Sequence, residues 1–483
     1  MKYMRMTPSG GKKTYRRELY IIIGAFLISR ILVAFFGTHF RYEALFTYWQ
    51  YLDTGTLRYH LLQGLWYDHA QPPFFNLLLG LVLKISGDHA PMAFTVLLMV
   101  VSLVNCLLLF ILLKRTVPHR YIPLAVTLLY TLSPALMIFE SELFYTTFVS
   151  MLLLTSAVFL LRLEESAADR QPAGQWKYVA GICLSLILVC LTRSMYHLLW
   201  LAALSAILLF RVRKSHAFPK LATGLSLSLL LVTGWYVKNY IIFGQFSTSS
   251  WIGMNLARTV FHGANKDSSR IEAIEPFSDM QSYRPFIEGN ADKKYAGLDD
   301  RDLLREKKND SLRNLNYIGY IEVSQKYMTA SKAYMKSHPL NYLKNVLQSS
   351  IIFFAPATRY PFSEIEAPKI KYYDLAYSFN LTHFANGLQQ RRIALTLSAI
   401  PKIMVYLAVF YILLKEAVRQ KRLSLSSWFI FFTICFVFLT SSLMEHYENM
   451  RFRYEIEPLF LVLLGQALYR LVNPILRPVK DNI

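Results

Sequence analysis

Long apolar runs separated by short basic segments make up most of this chain. Runs of about 20 residues with few or no charges lie near 20–38, 92–114, 121–139, 143–162, 178–194, 196–212, 219–238, 393–415, 425–443 and 455–472. A helix needs ~20 mostly apolar residues to cross a hydrocarbon core about 30 Å thick. The pattern therefore predicts an all-α integral membrane protein with about ten transmembrane helices.

Basic residues mark one side of this arrangement. If the N-terminus is cytoplasmic, the cytoplasmic segments are the N-terminal tail, 115–120, 163–177, 213–219, 416–424 and the C-terminal tail. Each contains Lys or Arg, among them Arg115, Arg170, Lys214, Arg422 and Lys480. Lys and Arg are enriched in cytoplasmic loops. We therefore predict cytoplasmic termini, in a membrane that is most simply a bacterial inner membrane.

Two long segments fall on the outer side and divide the chain. The first, 39–91, interrupts an N-terminal transmembrane module over 1–239 and contains the short apolar stretch Phe74–Ile85, which we interpret as an interfacial helix. The second, 240–392, has a polar part, 262–335, predicted to be a water-exposed mixed domain, and an apolar run near 342–356, predicted to lie on the membrane. The remainder, 393–483, forms C-terminal transmembrane helices.

Composition agrees with a membrane location. The 483 residues are 54% hydrophobic and only 17% charged, yet the net charge is +21. Soluble domains are about 45–50% apolar and about 25% charged. Because the basic residues cluster between apolar runs, we relate them to topology and membrane lipids rather than to nucleic acid.

Polar side chains recur where the predicted spans reach the outer face. Six sets do so: Arg41-Tyr42-Glu43, Asp68-His69, Glu140-Ser141-Glu142, Arg193, Lys238-Asn239-Tyr240, and Glu448 with Arg451 and Arg453. Arginine holds phosphate by bidentate hydrogen bonds, and a carboxylate can act as a general base. Because all six sets are predicted on the outer side of the membrane, we expect them to form a pocket. Such a pocket suits transfer of a group from a lipid phosphate to an acceptor outside.

Each residue also has a simpler interpretation. Asp68 stands in a Pro-Pro turn, and Glu142 opens a helix whose dipole favours a carboxylate. Arg193 and Lys238 can extend to the lipid headgroups without any catalytic role. The hypothesis therefore depends on the six sets occurring together.

Seven short motifs, in order along about four hundred positions, resemble one family. They are Tyr42-Glu43-Ala44 with Trp49-Gln50-Tyr51-Leu52 and Gly55, His69-Ala-Gln-Pro-Pro-Phe-Phe, Leu132-Ser133-Pro134 with Ser141-Glu142-Leu-Phe, Leu191-Thr192-Arg193, Trp235-Tyr-Val-Lys238-Asn239-Tyr240-Ile-Ile-Phe243-Gly244, Gly253-Met-Asn255-Leu256, and Glu448-Asn-Met-Arg451-Phe-Arg453 with Pro458. This series resembles the C-type glycosyltransferase (GT-C) superfamily, in particular bacterial relatives of protein O-mannosyltransferases and of the aminoarabinose-lipid A transferase.

The resemblance implies a polyprenyl-phosphate-linked sugar donor and an extracytoplasmic acceptor (lipid, glycan or protein). The family's catalytic Asp usually stands where this chain has Tyr42, so either Glu43 takes that role, or Asp68 does, or the enzyme is divergent. His69, Arg193, Lys238 and Arg453 are expected to bind the donor phosphate, with Glu142 as the acidic residue of the second loop. Lys238 replaces the usual Arg, which keeps the charge and loses the planar fork. Metal use varies in the family, so a divalent cation stays open.

Two other functions remain possible at this stage. A lipid or sugar transporter is expected to have polar residues near the middle of several spans and broken helices. Here the polar groups gather at one face, which favours an interfacial enzyme. A non-catalytic assembly subunit with the same fold is favoured only by Tyr42.

Overall fold

A computed structural model describes residues 12–169, 174–264, 267–288, 302–308, 312–360, 364–420 and 424–476. Parts of the predicted cytoplasmic segments, including Arg170, Arg422 and Lys480, lie outside these ranges, as does much of 289–311. The described residues are mainly helical, in agreement with the predicted all-α class.

The first half of the chain contains helices that alternate between spans and shorter surface pieces. They are α1 (Lys12–Phe35), α2 (Ala44–Thr47), α3 (Thr54–Tyr59), α4 (Leu61–Tyr67), α5 (Pro73–Ser86), α6 (Ala90–Thr116), α7 (Ile122–Thr131), α8 (Pro134–Ser141), α9 (Thr146–Ala168), α10 (Gln175–Thr192), α11 (Leu198–Val212) and α12 (Phe218–Phe243). Proline at the first turn opens several of them, because its missing N–H would be unpaired there anyway.

The second half continues with α13 (Ile252–Val260), α14 (Met280–Tyr283), α15 (Gly319–Ser337), α16 (Pro339–Phe353), α17 (Lys371–Ser378), α18 (Gly387–Gln420), α19 (Leu425–Met444), α20 (Asn449–Glu455) and α21 (Glu457–Leu476). Strands β1 (Lys307–Lys308) and β2 (Leu312–Arg313) pair antiparallel. Single 3₁₀ turns cover Gly87–His89, Ile271–Ala273, Arg284–Phe286, Ala357–Arg359, Ala367–Ile370 and Leu381–Phe384.

Seven helical stretches in the described chain are long and apolar enough to cross a membrane, or eight if one bent pair is a single span. One of the seven is the whole stretch Pro73–Thr116, which includes the segment interpreted as interfacial. The two remaining predicted runs are also helical: α11 is a shorter apolar helix, and α21 covers 457–472 of the run 455–472. The positions of the predicted spans are therefore confirmed as helices.

The bent pair corrects the single straight span predicted over 121–139. Helices α7 and α8 meet at an angle of 43°. Pro134 removes a backbone donor and holds Ser133 in an extended conformation, so the helix cannot continue through this point. Arg30 of α1 stabilises the break, since its Nη1 donates to the carbonyl of Thr131 at 2.6 Å and its Nε to Glu140 at 2.9 Å.

Two hydrophobic cores organise the molecule. The larger core is formed by the spans and by α2–α5. The smaller core is formed by α13–α15 and residues around them, and it packs against Phe243 at the end of α12 and Ala70 of the first long segment. The predicted water-exposed mixed domain over 262–335 is not confirmed; the described part of it consists of helices, 3₁₀ turns and two strands of two residues each.

Candidate functional site

Backbone contacts join the first long segment to the loop between α8 and α9. The N–H of Arg41 donates to the carbonyl of Ser141 at 2.7 Å, and Arg41 Nη1 lies 3.5 Å from Glu142 Oε1. The hydroxyl of Tyr51 donates to the carbonyl of Leu143. These bonds hold Glu142 beside the segment that carries Glu43.

Three carboxylates influence one another at this junction. Glu142 is buried, Glu43 is at the N-cap position of α2 without a side-chain capping bond, and Glu366 comes from the second long segment. Burial raises the pKa of Glu142 to about 8; Arg41 opposes the shift, and the charges of Glu366 and Glu43 add to it. Like charges that share a buried site favour keeping one proton. Glu142 is therefore largely protonated at neutral pH, next to Glu43.

The second long segment reaches this junction directly. Glu366 accepts from the backbone N–H of His39 at 3.2 Å and from Lys369 Nζ at 2.8 Å, and Lys369 also donates to the carbonyl of Gly37 at 2.7 Å. Residues 37–41 and 366–369 therefore lie on the same side of the helix bundle.

A small cavity opens at the junction. It is lined by Ala44, Tyr48, Ile138, Phe139, Glu142, Leu143, Phe144 and Tyr360. The hydroxyls of Tyr48 and Tyr360 are 3.0 Å apart and close one wall. Its volume of about 10 Å³ accommodates about one water molecule, so a larger ligand requires the wall to move.

Arginines stand behind the aromatic wall. The guanidinium of Arg451 lies 4.6 Å from the ring centre of Phe144 and 5.2 Å from that of Tyr360, and it pairs with Glu448. The guanidinium of Arg193 lies 3.9 Å from the ring centre of Phe452 and pairs with Glu455. Arg451 is thus one side chain away from the cavity, whereas Arg193 contacts rings that do not line it.

Arg453 lies on the same short helix, α20. It is almost fully buried and pairs with Glu457. Both Arg193 and Arg453 therefore have a carboxylate partner, and a phosphate has to displace that partner or share the arginine with it.

Asp68, His69 and Lys238 form a separate buried cluster. Asp68 accepts from the backbone N–H groups of Ala70 and Gln71 at 3.1 and 3.0 Å, and from the amide of Asn76 at 3.0 Å. Lys238 Nζ donates to the carbonyls of Trp66 and Asp68 at 2.9 and 3.2 Å. These bonds fix the turn before α5 against the end of α12.

The ring nitrogens of His69 are both engaged. Nδ1 is 2.8 Å from Ser250 Oγ, and Nε2 is 2.9 Å from the carbonyl of Asn316. Burial lowers the pKa of His69 to about 3 and raises the pKa of Asp68 to about 7. A neutral, fully bonded imidazole links 249–251 and 314–316 to the first long segment.

The structure thus brings together some of the predicted site residues and not others. Glu43 and Glu142 share the junction. Arg193, at the end of α10, pairs with Glu455 of α20, the helix that carries Arg453. Asp68, His69 and Lys238 lie in their own cluster. Tyr48, Tyr360 and Glu366 complete the junction but were not predicted, because no motif or spacing connects residue 366 with residues near 40.

The described residues offer no evident metal site. No three His, Cys, Asp or Glu side chains of the described ranges converge so that they could hold an ion. The grouping of Glu43, Glu142 and Glu366 also includes Arg41 and Lys369, whose charges oppose cation binding. No step below is assigned to a metal.

The fold and the site together define a helical integral membrane protein with a buried carboxylate cluster and arginines where several spans end. No protein-family model and no curated protein matches the chain. Two solved structures from Archaeoglobus fulgidus are similar in fold: the oligosaccharyltransferase AglB in complex with an inhibitory peptide and a dolichol-phosphate, and an oligosaccharyltransferase in the apo form.

The similarity covers nearly the whole chain. With AglB the identity is 12%, the TM-score is 0.43, and the match covers 96% of this chain and 52% of AglB. With the apo structure the identity is 10%, the TM-score is 0.36, and the match covers 95% and 51%. The chain therefore spans about half the length of the structures it matches.

Proposed function

We propose that the chain is a glycosyltransferase that moves a sugar from a polyprenyl-phosphate-linked donor to an extracytoplasmic acceptor. The observation that carries this proposal is the junction itself. The protonated carboxyl of Glu142 and aromatic rings line a cavity, Glu43 is next to the lining residue Ala44, and the buried guanidinium of Arg451 lies behind the rings. The ordered motifs support it independently.

In the proposed reaction, Glu43 accepts a proton from an acceptor hydroxyl or amine. The acceptor atom forms a bond to the anomeric carbon, and the bond between that carbon and the phosphate oxygen breaks. The departing polyprenyl phosphate keeps the bonding electron pair. Arg451 and Arg193 stabilise its charge, since preorganised cations in a dry site act strongly on developing charge. Burial raises the pKa of Glu142, so its carboxyl stays protonated beside Glu43 and adds no negative charge near the departing phosphate.

Asp68, His69 and Lys238 position the first long segment in this proposal. Asp68 is fully buried and accepts three hydrogen bonds, so an acceptor has no access to it without local opening. The assignment of the base to Glu43 rests on its exposure to solvent and on its position next to Ala44, which lines the cavity.

The test is a transfer assay with purified protein in detergent. Polyprenyl-phosphate sugars are supplied, and release of free polyprenyl phosphate is measured. We expect the wild-type protein to turn over the donor. We expect the turnover of Glu43→Gln to be at least a hundredfold lower, which is the usual effect of removing a general base. If Glu43→Gln and Asp68→Asn both keep wild-type turnover, the site assignment is wrong. Movement of lipid or sugar across vesicles without transfer indicates a transporter.

A further inference from the structure

An apolar groove lies at the beginning of α18, away from the proposed reaction site. It is formed by the 3₁₀ turn Leu381–Phe384 and the first turns of α18, and its volume is about 230 Å³. Its lining is apolar except for one amide: Leu381, Phe384, Ala385, Gln390, Ile393, Ala394 and Leu397. The groove continues into an exposed apolar stripe on α18 formed by Ile393, Leu397, Ile400 and Met404.

Two arginines lie near this groove. Arg391 is next to the lining residue Gln390, and Arg359 is next to Thr358, whose hydroxyl accepts from the amide of Asn380 at 3.1 Å, one residue before Leu381 of the lining. Arg359, partly buried, and Arg391 repel each other, and the charge of Glu364 only partly offsets them. Within the described ranges, neither guanidinium has a hydrogen bond or a carboxylate at ion-pair distance. The buried Arg30, Arg193 and Arg451 all have glutamate partners. Arg359 and Arg391 are therefore placed for an anion from outside the chain.

Helical geometry sets Arg391 apart from its neighbour Arg392. Successive residues of an α-helix are about 100° apart. The helix face that lines the groove carries Gln390, Ile393, Ala394 and Leu397. Arg391 lies at the edge of this face. Arg392 points a further 100° away, on the opposite side of the helix.

We propose that an acidic glycerophospholipid binds here, with its phosphate on Arg359 and Arg391 and an acyl chain in the groove. Arginine forks bind phosphate bidentately, and the apolar lining suits a hydrocarbon chain. A lipid is the occupant that satisfies both, because α18 crosses the membrane and its apolar stripe leads from the groove along the span.

The proposed lipid site is adjacent to the segment that closes the reaction cavity. Arg359 precedes Tyr360, whose hydroxyl contacts Tyr48 on the cavity wall. Thr358, on its other side, donates to the buried carboxylate of Asp374. The lipid therefore fixes one end of a wall that has to move for a larger ligand to enter. The binding itself does not depend on the proposed transferase activity.

The test counts lipids retained by the full-length protein in native mass spectrometry. Phosphatidylglycerol is added to the detergent-solubilised protein, with phosphatidylcholine as the zwitterionic comparison. We expect one phosphatidylglycerol held preferentially. In Arg359→Gln/Arg391→Gln, its apparent affinity falls about tenfold, the scale of losing one or two charge-assisted bonds.

Arg392→Gln is the matched control and keeps wild-type retention. Ala385→Trp, which fills the groove, lowers retention while leaving both arginines in place. Equal retention in the double variant and in Arg392→Gln overturns the proposal. The proposal is also overturned if millimolar inorganic phosphate displaces the lipid and Ala385→Trp has no effect on lipid retention. Those two results together would indicate a site that binds only the phosphate group. Both results are readable whether or not transfer activity is found.

Discussion

Single carboxylates in this molecule differ according to how they are buried. Glu142 and Asp68 both have raised pKa values, to about 8 and about 7, because burial penalises the charged form. Glu142 lines a cavity, whereas Asp68 has its oxygens engaged by backbone and amide donors. The sequence marks both as polar residues at the ends of spans, but it does not distinguish a cavity-lining carboxyl from one that closes a turn.

The protonation of Glu142 predicts a pH effect on activity. Its carboxyl is protonated below pH 8 and ionises as the pH rises through that value. Ionisation adds a negative charge beside Glu43 and repels the phosphate donor, so we expect kcat/KM to fall above pH 8. In Glu142→Gln this alkaline decline disappears. A decline that is unchanged in Glu142→Gln, in a pH profile of polyprenyl phosphate release, contradicts the assignment.

The hydrogen bonds of Asp68 predict a stability effect. Asp68→Ala leaves the N–H groups of Ala70 and Gln71 and the amide of Asn76 without their acceptor in a buried site. Each such group costs about 1–3 kcal/mol. We expect thermal unfolding in detergent to begin several degrees lower than in wild type. Glu43→Ala is the control, since no hydrogen bond to the Glu43 side chain is seen in the described chain, and it should unfold near the wild-type temperature.

The apolar runs of the sequence predict where the helices lie, but they do not predict where the helices end or bend. Ten predicted runs coincide with helices because apolar length decides which segments can cross a bilayer. The bend between α7 and α8 depends on Pro134 and on the bonds of Arg30, a residue about a hundred positions earlier. Such long-range partners leave no local signal in the sequence.

Because α13 and α15 pack closely, adding one methyl group at their contact is expected to lower the stability of the protein. A Cβ at Gly253 would lie 1.8 Å from the backbone oxygen of Ser324, so α13 and α15 have to separate in Gly253→Ala. We expect a loss of about 1–3 kcal/mol, typical of overpacking, seen as earlier unfolding and proteolysis within 251–327. Gly234→Ala is the matched control, because a Cβ there meets no atom within 4 Å. Equal stability of the two variants contradicts the packing.

At the scale of the whole molecule, two distant segments meet on one side of the bundle. The sequence predicts only from charge that both segments lie on one side, since the basic loops mark the cytoplasmic side and both segments are on the opposite side. The structure adds the contacts, including those of Glu366 with His39 and Lys369. It also adds Tyr360 to the cavity wall, which sequence reasoning missed because 357–370 matches no motif of the resembled family.

This arrangement predicts the pattern of labelling from outside the cell. In a variant without the four native cysteines, Tyr59→Cys and Tyr372→Cys are exposed positions of the two long segments. We expect both to react with a membrane-impermeant maleimide in intact cells, and Lys214→Cys to react only after lysis. Labelling of residues 59 and 372 from opposite sides excludes a shared outer site.

The most direct measurement is photo-crosslinking of a polyprenyl-phosphate-sugar donor that carries a diazirine next to the sugar. We expect crosslinks in peptides containing residues 41–48, 138–145 and 357–360, with loss of labelling when unmodified donor is added in excess. Crosslinks that fall only on other parts of the chain, or that unmodified donor does not displace, contradict it.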